Sequence, residues 1–497
     1  MFELKQLFHQ TIIYGFSSVI ARVLNFFLVP LYTILFMPSE YAIIAEMYAY
    51  AGLFMVIGSF GMETTFFRFV KNEAIKSSST ENTRKVFSTA FTFLIFNTLI
   101  LLFLGFLFLE DISFIIEHEN HPEYIALFII IVSLDLLSVI PFSILREQNR
   151  AVTFAVIKTI NICINIFFNL FFLLLCPYLL NTIGTGQVLN IFYNPDVSVV
   201  YVFISNLIAS TITLIILTPI VFKNYSQPDY PLFKKMIKYA WPIFIAGLAF
   251  ILNETADKIL IKYLLPTGIA MRELGIYSAC YKLTIFMTLF VQAYRFAAEP
   301  FFFHQLKSPN PQKTYSLMMN SYVLFSLLIF LFVVLFLDTI KLIIPNQLFH
   351  EGVVIVPIVL LANLFLGIYY NLSVWYKVIN QTHFAAIIST MGAIITLILN
   401  IILIPTYGYI GAAWTTLICY FSMCLLSVFF SRKRYHINYD FKSIIIHFCF
   451  ALFLYALSNV INNPLYINIQ IDNAIIFFIY IIFIFTQMKK LITPQKN

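Results

Sequence analysis

FTFLIFNTLILLFLGFLFL, residues Phe91 to Leu109, contains no charged side chain and no alternation of apolar and polar residues. A helix of about 20 apolar residues can cross the hydrocarbon core of a bilayer, which is about 30 Å thick. A membrane β-barrel would instead need short segments in which apolar and polar residues alternate. The stretch therefore predicts a membrane-spanning helix.

The rest of the chain has the same character. Of its 497 residues, 61% are hydrophobic and 11% are charged, and its mean hydropathy is +0.90. Soluble domains carry about 25% charged residues. The six cysteines occur singly, without a CxxC motif, so we expect no disulfide framework, metal centre or cofactor. We predict an all-α polytopic membrane protein.

Hydrophobic runs of spanning length recur along the whole chain. We predict about 14 spans, at about 11–36, 41–70, 86–109, 123–145, 151–176, 198–222, 240–264, 274–303, 315–338, 352–376, 384–405, 408–430, 444–461 and 473–488. The start, MFELKQLFHQTIIYGF, lacks the short apolar region and cleavage site of a signal peptide. We therefore expect the first span to be retained.

The basic residues are distributed unevenly between the two sides of the membrane. With an even number of spans both termini share one side, and that side holds about 21 lysines and arginines against about two on the other. Basic loops remain cytoplasmic, so we expect both termini on the cytoplasmic side of a bacterial cytoplasmic (inner) membrane. The formal net charge of +7 then reflects topology, and we expect no nucleic-acid partner.

Two halves of the chain resemble each other. GMETTFFRF at 61–69 aligns with AAEPFFFHQ at 297–305 and pairs Glu63 with Glu299. We interpret this as a parallel repeat of two six-helix lobes, with chance similarity as the alternative. The predicted domains are an N-terminal lobe at 1–222, a cytoplasmic linker at 223–239, a C-terminal lobe at 240–430 and two extra spans within 443–490.

Several charged residues lie inside predicted spans, where each costs about 2.5 to 3.5 kcal/mol at a helix centre on insertion scales. They concentrate in spans one, two, seven and eight. The set is Arg22, Arg68, Lys158, Lys258, Lys262, Lys282, Arg295, Glu46, Glu63, Asp135, Glu254, Asp257 and Glu299. Arg68, Lys262 and Glu46 lie nearer to span ends, where we expect their side chains to reach the membrane interface.

Polar residues in span eight follow helical spacing. They form one predicted stripe of Tyr281, Thr284, Thr288, Gln292, Arg295 and Glu299. Such a stripe is typical of the wall of a water-filled cavity. Arg295 with Glu299, and Glu254 with Lys258, are explained equally well as ion pairs that cancel each other's insertion cost.

Basic side chains inside the membrane suit an anionic ligand, and a guanidinium suits phosphate oxygens in particular. Carboxylates beside them can hold H+ or Na+ as a coupling ion. The sequence contains no P-loop, no HExxH and no GxSxG motif. We therefore predict a transporter and not an enzyme.

The stretches YGFSSVIARVLNFFLVPLYT, DKILIKYLLP and LGIYSACYKL resemble lipid-linked oligosaccharide flippases. These proteins form the polysaccharide transporter branch of the multidrug/oligosaccharidyl-lipid/polysaccharide exporter superfamily. The resemblance implies a V-shaped two-lobed fold with an added C-terminal helix pair. It also implies that an undecaprenyl-pyrophosphate-linked glycan moves to the outer leaflet by ion-coupled alternating access, in O-antigen or other polysaccharide biosynthesis.

The resemblance assigns roles by position in the charged spans. The residues implied to bind substrate are Arg22, Asn25, Asn253, Lys258, Lys282, Gln292 and Arg295. The implied coupling carboxylates are Glu63, Asp257 and Glu299. The expected partners are the lipid-linked glycan, membrane lipids and other polysaccharide assembly proteins. A lipid II flippase, a cation-coupled drug antiporter of the same fold, and a membrane glycan polymerase or ligase remain alternatives.

Overall fold

The structure, a computed structural model, describes residues 19–76, 80–183, 193–194, 198–305, 311–379, 381, 383–435, 437–461 and 469–492. Throughout these ranges the regular secondary structure is helical and no β-strand occurs. The prediction of an all-α polytopic fold is confirmed.

The helices follow one another with short connections. In chain order they are α1 (Val19–Leu35), α2 (Pro38–Ser59), α3 (Met62–Lys76), α4 (Thr80–Leu107), α5 (Leu109–Ile115), α6 (Pro122–Glu147), α7 (Ala151–Leu170), α8 (Cys176–Ile183), α9 (Ser198–Asn224), α10 (Tyr230–Leu264), α11 (Thr267–Lys282), α12 (Ile285–Gln305), α13 (Pro311–Leu335), α14 (Leu337–Ile340), α15 (Val356–Leu372), α16 (Val374–Val378), α17 (His383–Ser431), α18 (Phe441–Ile461) and α19 (Ile469–Ile492). Three of them begin with a proline, which suits the first helical position because no backbone N–H is needed there.

The number of membrane-crossing helices is close to the prediction. Eleven helices of the described part are long and apolar enough to cross a membrane, or twelve when the bent pair α11–α12 counts as one span. α1 adds a shorter apolar helix that is described only from Val19. The predicted count of 14 is therefore approximate.

α17 contains two of the predicted spans, joined by a kink. Gly408 interrupts it with φ 58° and ψ −144°, a conformation that favours glycine because no Cβ is present. Beyond this point the chain folds back, since the Cys419 thiol lies 3.5 Å from the Gly392 carbonyl oxygen. The predicted spans 384–405 and 408–430 are the two arms of this hairpin.

The chain divides into two compact units. Unit 1 contains the chain to Leu28 and Ile43–Ile259, and unit 2 contains Val29–Ala42 and the chain from Leu260. One change of unit therefore falls inside α10. The lobes predicted from sequence, 1–222 and 240–430, divide the chain differently and stay a prediction.

Unit 1 has an apolar core to which four helices contribute. Its members include Met62 and Phe66 from α3, Phe87 from α4, Ile144 from α6 and Met236 from α10. Each of these side chains is fully buried. The first part of α10 is therefore integral to unit 1.

The segment predicted as a linker, 223–239, is mostly helical. α9 continues to Asn224 and α10 begins at Tyr230, so only five residues lie between the two helices. The Ser226 N–H donates to Ser88 Oγ at 2.7 Å, and the Asp229 N–H donates to Thr89 Oγ1 at 3.0 Å. The backbone N–H groups of this connection have no helical carbonyl to donate to, and the Ser88 and Thr89 hydroxyl oxygens accept from them instead. These bonds hold the connection against α4.

Unit 2 includes the predicted extra helix pair, α18 and α19, which packs on α13. Asn473 Nδ2 donates to the Leu335 carbonyl at 2.8 Å. α18 begins after Asp440, whose carboxylate accepts bonds from the Ser443 hydroxyl at 2.6 Å and the Ser443 N–H at 3.1 Å. These bonds lower the pKa of the Asp440 carboxyl because they stabilise its charged form.

Candidate functional site

The ten predicted site residues are divided between the two units. Unit 1 contains Arg22, Asn25, Glu63, Asn253, Asp257 and Lys258. Unit 2 contains Lys282, Gln292, Arg295 and Glu299. The side chain of Glu299 lies outside the described residues, so the proposed Arg295–Glu299 ion pair stays a prediction.

α10 brings three of the predicted residues together in unit 1. Asn253 and Asp257 are 4% and 3% exposed, one turn apart on the same face. The Lys258 ammonium lies 3.3 Å from Asp257 Oδ1 and donates to the Glu254 carbonyl at 3.0 Å. The lysine thus neutralises a buried carboxylate next to it in sequence. Asp257 and Lys258 thus place one carboxylate and one ammonium group side by side on a mostly buried part of α10.

Arg22 and Asn25 are both exposed on α1. They are three residues apart, so they lie on neighbouring positions of the same helix face. A guanidinium and an amide in this arrangement offer several donors to one anionic or hydroxyl-bearing group. Lys282, in contrast, is the last residue of α11 and is exposed.

Glu63 is half exposed and pairs with a basic residue of another helix. Arg146 Nη1 lies 2.6 Å from Glu63 Oε1, and the two side chains are 41% and 48% exposed. The Arg146 guanidinium also lies 5.0 Å from the centre of the Phe67 ring. A cation that binds Glu63 would therefore have to compete with an arginine already held in place.

The predicted continuous stripe on span eight is wrong in one respect. The span consists of α11 and α12, which meet at Leu283–Thr284 with a bend of 55°. The Thr284 hydroxyl donates to the Tyr281 carbonyl at 2.8 Å, which satisfies an acceptor at the end of α11. Gln292 and Arg295 remain on one helix, whereas Tyr281 and Lys282 belong to the other.

Two neighbouring residues of α12 contact two neighbouring residues of α15 in unit 2. The Tyr294 hydroxyl donates to Asn371 Oδ1 at 2.6 Å. The Arg295 guanidinium carbon lies 4.8 Å from the centre of the Tyr370 ring. Such cation–π contacts contribute about 0.5–2 kcal/mol, more where water is excluded. The ring holds one flat face of the guanidinium, and the donors at its edge stay available to an anion.

The polar surface around Arg295 has unsatisfied hydrogen-bonding capacity. Arg295 itself is exposed, and no hydrogen bond or ion pair is found for it among the described side chains. One turn earlier, Gln292 Oε1 is buried without a hydrogen-bond partner in the described part of the chain. A buried unpaired acceptor costs about 1–3 kcal/mol.

Sequence reasoning missed Tyr370. It lies in GIYYNLSVWYK, where three tyrosines occur within a short apolar stretch, and no spacing rule distinguishes it from Tyr369. Its contact with Arg295 joins two helices about 75 residues apart in sequence. Only the packing of α12 on α15 reveals it. No group of three His, Cys, Asp or Glu residues that could hold a metal ion is found in the described ranges.

Comparison with solved structures shows which known fold the chain has. The chain is similar to the lipid II flippase MurJ in an inward closed conformation, with a TM-score of 0.70, 17% identity, and coverage of 97% of this chain and 100% of MurJ. It is also similar to an inward-facing multidrug resistance MATE family transporter of the MOP superfamily, with a TM-score of 0.65, 11% identity, and coverage of 85% and 94%.

A mutant of the Vibrio cholerae MATE transporter VcmN has a TM-score of 0.57 and 16% identity, with coverage of 87% of this chain and 97% of VcmN. At these identities the likeness establishes the fold alone. No curated protein sequence gives a significant match. The sequence profile described as "Polysaccharide biosynthesis protein" matches residues 7–306, more than half of the chain. The chain therefore belongs to the polysaccharide biosynthesis protein family, with the helical membrane fold of MurJ and MATE transporters.

Proposed function

We propose that this protein is a flippase that moves an undecaprenyl-pyrophosphate-linked oligosaccharide from the cytoplasmic to the outer leaflet. The glycan would serve O-antigen or another surface polysaccharide, and the protein would lie in a bacterial inner membrane with both termini cytoplasmic. Membership of the polysaccharide biosynthesis family and the fold shared with MurJ support a lipid-linked substrate. Membrane lipids and other polysaccharide assembly proteins are the proposed partners.

The observation that carries this proposal is the guanidinium of Arg295. It is exposed in a membrane helix and stacked on Tyr370, one helical turn from Gln292, whose side-chain oxygen has no hydrogen-bond partner among the described residues. Arginine is costly in hydrocarbon, so its presence indicates a polar or anionic partner. A planar fork of donors fits the oxygens of a pyrophosphate better than it fits a cationic drug.

The remaining predicted residues receive proposed roles by their chemistry. Arg22, Lys258 and Lys282 would meet pyrophosphate oxygens, whereas Asn25, Asn253 and Gln292 would meet sugar hydroxyls. Asp257 is the preferred coupling carboxylate, because it is 3% exposed and paired with a lysine that a bound H+ or Na+ would displace. Glu63 and Glu299 remain proposals for the same role.

The direct test uses purified protein in liposomes that contain a fluorescent undecaprenyl-pyrophosphate oligosaccharide. Loss of fluorescence to a membrane-impermeant quencher is followed with and without an imposed pH or sodium gradient. We expect movement that depends on the protein and is accelerated by one of the two gradients. Absence of movement under every gradient contradicts the proposal.

Two transport alternatives have support from the fold. Similarity to MurJ over nearly the whole chain favours lipid II as a second substrate, which the same liposomes test when lipid II replaces the oligosaccharide. Similarity to MATE transporters favours a drug antiporter, which efflux of a cationic dye would reveal. A glycan polymerase or ligase would instead lengthen or transfer the glycan, which chromatography of the recovered lipid detects.

Tyr370→Leu is expected to raise the KM for the lipid-linked oligosaccharide by about 2- to 30-fold, since it removes a contact of about 0.5–2 kcal/mol. kcat should change little, because the ring only orients Arg295. Tyr370→Phe keeps a π face under the guanidinium, so its KM should stay near the wild-type value. Equal KM values for the leucine and phenylalanine variants would show that the ring does not orient the arginine.

Asp257→Asn is expected to abolish the acceleration of flipping by an ion gradient, because a neutral amide does not exchange H+ or bind Na+ as a carboxylate does. The slow movement without a gradient should remain. Asp338→Asn is the matched control, since Asp338 pairs with Lys341 at 2.6 Å but is 84% exposed. Gradient acceleration that persists in Asp257→Asn at normal abundance would remove Asp257 from the coupling role.

A further inference from the structure

Arg68, which has no role assigned above, lies on α3 against the first part of α10. Its guanidinium carbon lies 4.2 Å from the centre of the Tyr239 ring. The ring of Phe69, the next residue of α3, lies 6.1 Å from the same tyrosine ring. Arg68 is exposed, so the tyrosine covers one flat face of the guanidinium and leaves the donors at its edge accessible.

Arg68 differs in exposure from the other two charged residues near span ends. Glu46 and Lys262 are 0% and 4% exposed, so the expectation that their side chains reach the membrane interface is wrong. Arg68 alone among the three has a side chain that a lipid headgroup can approach.

Three more basic residues occupy neighbouring positions on the two helices. Lys71 follows Arg68 by three residues on α3, and Lys235 precedes Tyr239 by four residues on α10, so each lies on the same helix face as its neighbour. Lys238 comes directly before Tyr239 and three residues after Lys235. The four basic side chains, Arg68, Lys71, Lys235 and Lys238, are all exposed, and we call them the basic cluster.

The basic cluster lacks negative charge that would compensate it. None of its members takes part in an ion pair with a described side chain. The first turn of α10 contains no acidic residue. The Asp229 carboxylate, just before α10, accepts from the Leu232 N–H at 2.9 Å. Four like charges on two neighbouring helices repel one another, and an anion bound between them would relieve that repulsion.

The length of α10 places the basic cluster at the depth of the lipid headgroups. α10 has 35 residues and is therefore about 52 Å long, whereas the hydrocarbon core is about 30 Å thick. Trp241 is 55% exposed, and exposed tryptophans are enriched at the boundary between hydrocarbon and headgroups. The turns before Trp241, which contain Lys235 and Lys238, then lie beyond the hydrocarbon, on the side that the predicted topology makes cytoplasmic.

The chemistry of the basic cluster fits a phosphate group with a net negative charge. Anionic lipids give the cytoplasmic leaflet a negative surface potential that attracts lysine and arginine. A guanidinium donates to two phosphate oxygens at once, and each lysine adds a compact positive charge. A phosphatidylcholine headgroup also contains a phosphate, but its choline would meet four like charges. The basic cluster therefore favours an anionic phospholipid over a zwitterionic one.

We propose that the basic cluster, with Tyr239 stacked on Arg68, is a binding site for the phosphate of an anionic phospholipid of the cytoplasmic leaflet. The bound lipid would hold α3 and the start of α10 together at a fixed depth in the membrane. The whole site belongs to unit 1. It goes beyond the proposed function, because it requires no lipid-linked glycan.

The test is photo-labelling of the full-length protein in phosphatidylcholine liposomes that contain a small fraction of a photoreactive lipid. This lipid carries a diazirine on its acyl chain and has either a phosphatidylglycerol or a phosphatidylcholine headgroup. Mass spectrometry gives the labelling ratio, which is the labelling of peptides with Arg68 or Lys238 divided by that of the peptide with Phe103. Phe103 is 67% exposed in an apolar part of α4 and reports general contact with lipid.

In the wild type we expect the labelling ratio for phosphatidylglycerol to be at least about fivefold higher than that for phosphatidylcholine. Each basic side chain near the membrane surface multiplies the affinity for anionic lipid by about five. The cluster contains four such side chains, so fivefold is a lower limit.

Variants identify the groups responsible. Arg68→Gln and Lys235→Gln should each lower the phosphatidylglycerol ratio by about fivefold and leave the phosphatidylcholine ratio unchanged. Tyr239→Leu keeps every charge but removes the stacking, so it should lower the ratio by about 2- to 5-fold. Lys85→Gln is the matched control, because it also removes one positive charge from unit 1, but Lys85 is paired with Glu81 at 3.0 Å. The control should keep the wild-type ratio.

Equal ratios for the two headgroups in the wild type overturn the proposal without any variant. A wild-type ratio in Arg68→Gln overturns it as well, and so does an equal loss in Lys85→Gln, which would show a response to net charge alone. Unlabelled undecaprenyl pyrophosphate, added in an amount equal to the photoreactive lipid, should leave the phosphatidylglycerol labelling in place. Complete displacement would instead assign the basic cluster to the pyrophosphate of the proposed substrate. Labelling is measured without flipping, so this proposal and the proposed function fail separately.

Discussion

Arg295→Ala is expected to reduce flipping of the pyrophosphate-linked oligosaccharide by about 10- to 100-fold at wild-type abundance. Hydrogen bonds to charged groups contribute about 1.5–3 kcal/mol, and each 1.4 kcal/mol corresponds to a factor of ten. Arg295→Lys should recover part of the activity, since it keeps the charge but loses the planar fork and the stacking on Tyr370. The measurement is the initial rate in the quencher assay, with the protein quantified in the same liposomes.

Arg434→Ala is the matched control for that experiment. Its guanidinium carbon lies 4.4 Å from the centre of the Phe384 ring, so it is also an arginine stacked on an aromatic residue. Arg434 lies after the end of α17, outside the predicted spans. We expect its removal to leave the flipping rate within about twofold of the wild type, as is usual for an exposed surface charge. A normal rate for Arg295→Ala would show that the Arg295–Tyr370 contact serves packing alone.

Gly275→Ala is expected to be the most damaging single-methyl change for stability in unit 2. A Cβ at Gly275 would meet the carbonyl oxygen of Pro38 and come within 2.6 Å of its carbonyl carbon. Both obstacles are backbone atoms, so a side-chain rotation cannot relieve the overlap. Overpacking of this kind costs about 1–3 kcal/mol or more. We expect a lower melting temperature in detergent and several-fold lower abundance in the membrane.

Gly268→Ala provides the control within the same helix. No atom lies within 4 Å of a Cβ at this position, and α11 gains a better helix-forming residue. Its melting temperature should equal or slightly exceed that of the wild type. If Gly275→Ala melts at the same temperature as Gly268→Ala, then α11 does not approach the start of α2 as closely as the structure indicates.

Sequence reasoning located most of the helices but not their interruptions. Apolar runs longer than about 18 residues have few alternatives to a membrane helix, so the spans were recognisable one at a time. The bend at Leu283–Thr284 had no such signal, because neither residue is a proline or glycine. The hydrogen bond that holds Ser226 to α4 also had no local signal, because Ser226 and Ser88 lie 138 positions apart in sequence.

The candidate site was predictable to a similar extent. Charged residues in apolar helices are conspicuous, so Arg295, Asp257 and Lys258 were recognisable as candidates from composition and position. Their partners were not. The alternative of a Glu254–Lys258 ion pair did not anticipate the contact of Lys258 with Asp257, its immediate neighbour. Tyr370 was missed because it reaches Arg295 from a different helix.

The amino-acid sequence by itself determined that this protein is a helical membrane protein, because every apolar run must satisfy its own backbone hydrogen bonds in lipid and a helix does so locally. It also determined which spans contain charge. The tertiary structure alone decided which charges are compensated and by what, as with Arg295 on Tyr370 and Glu63 beside Arg146. Those contacts depend on the register between packed helices, and a side chain carries no local signal of the helix that it will face.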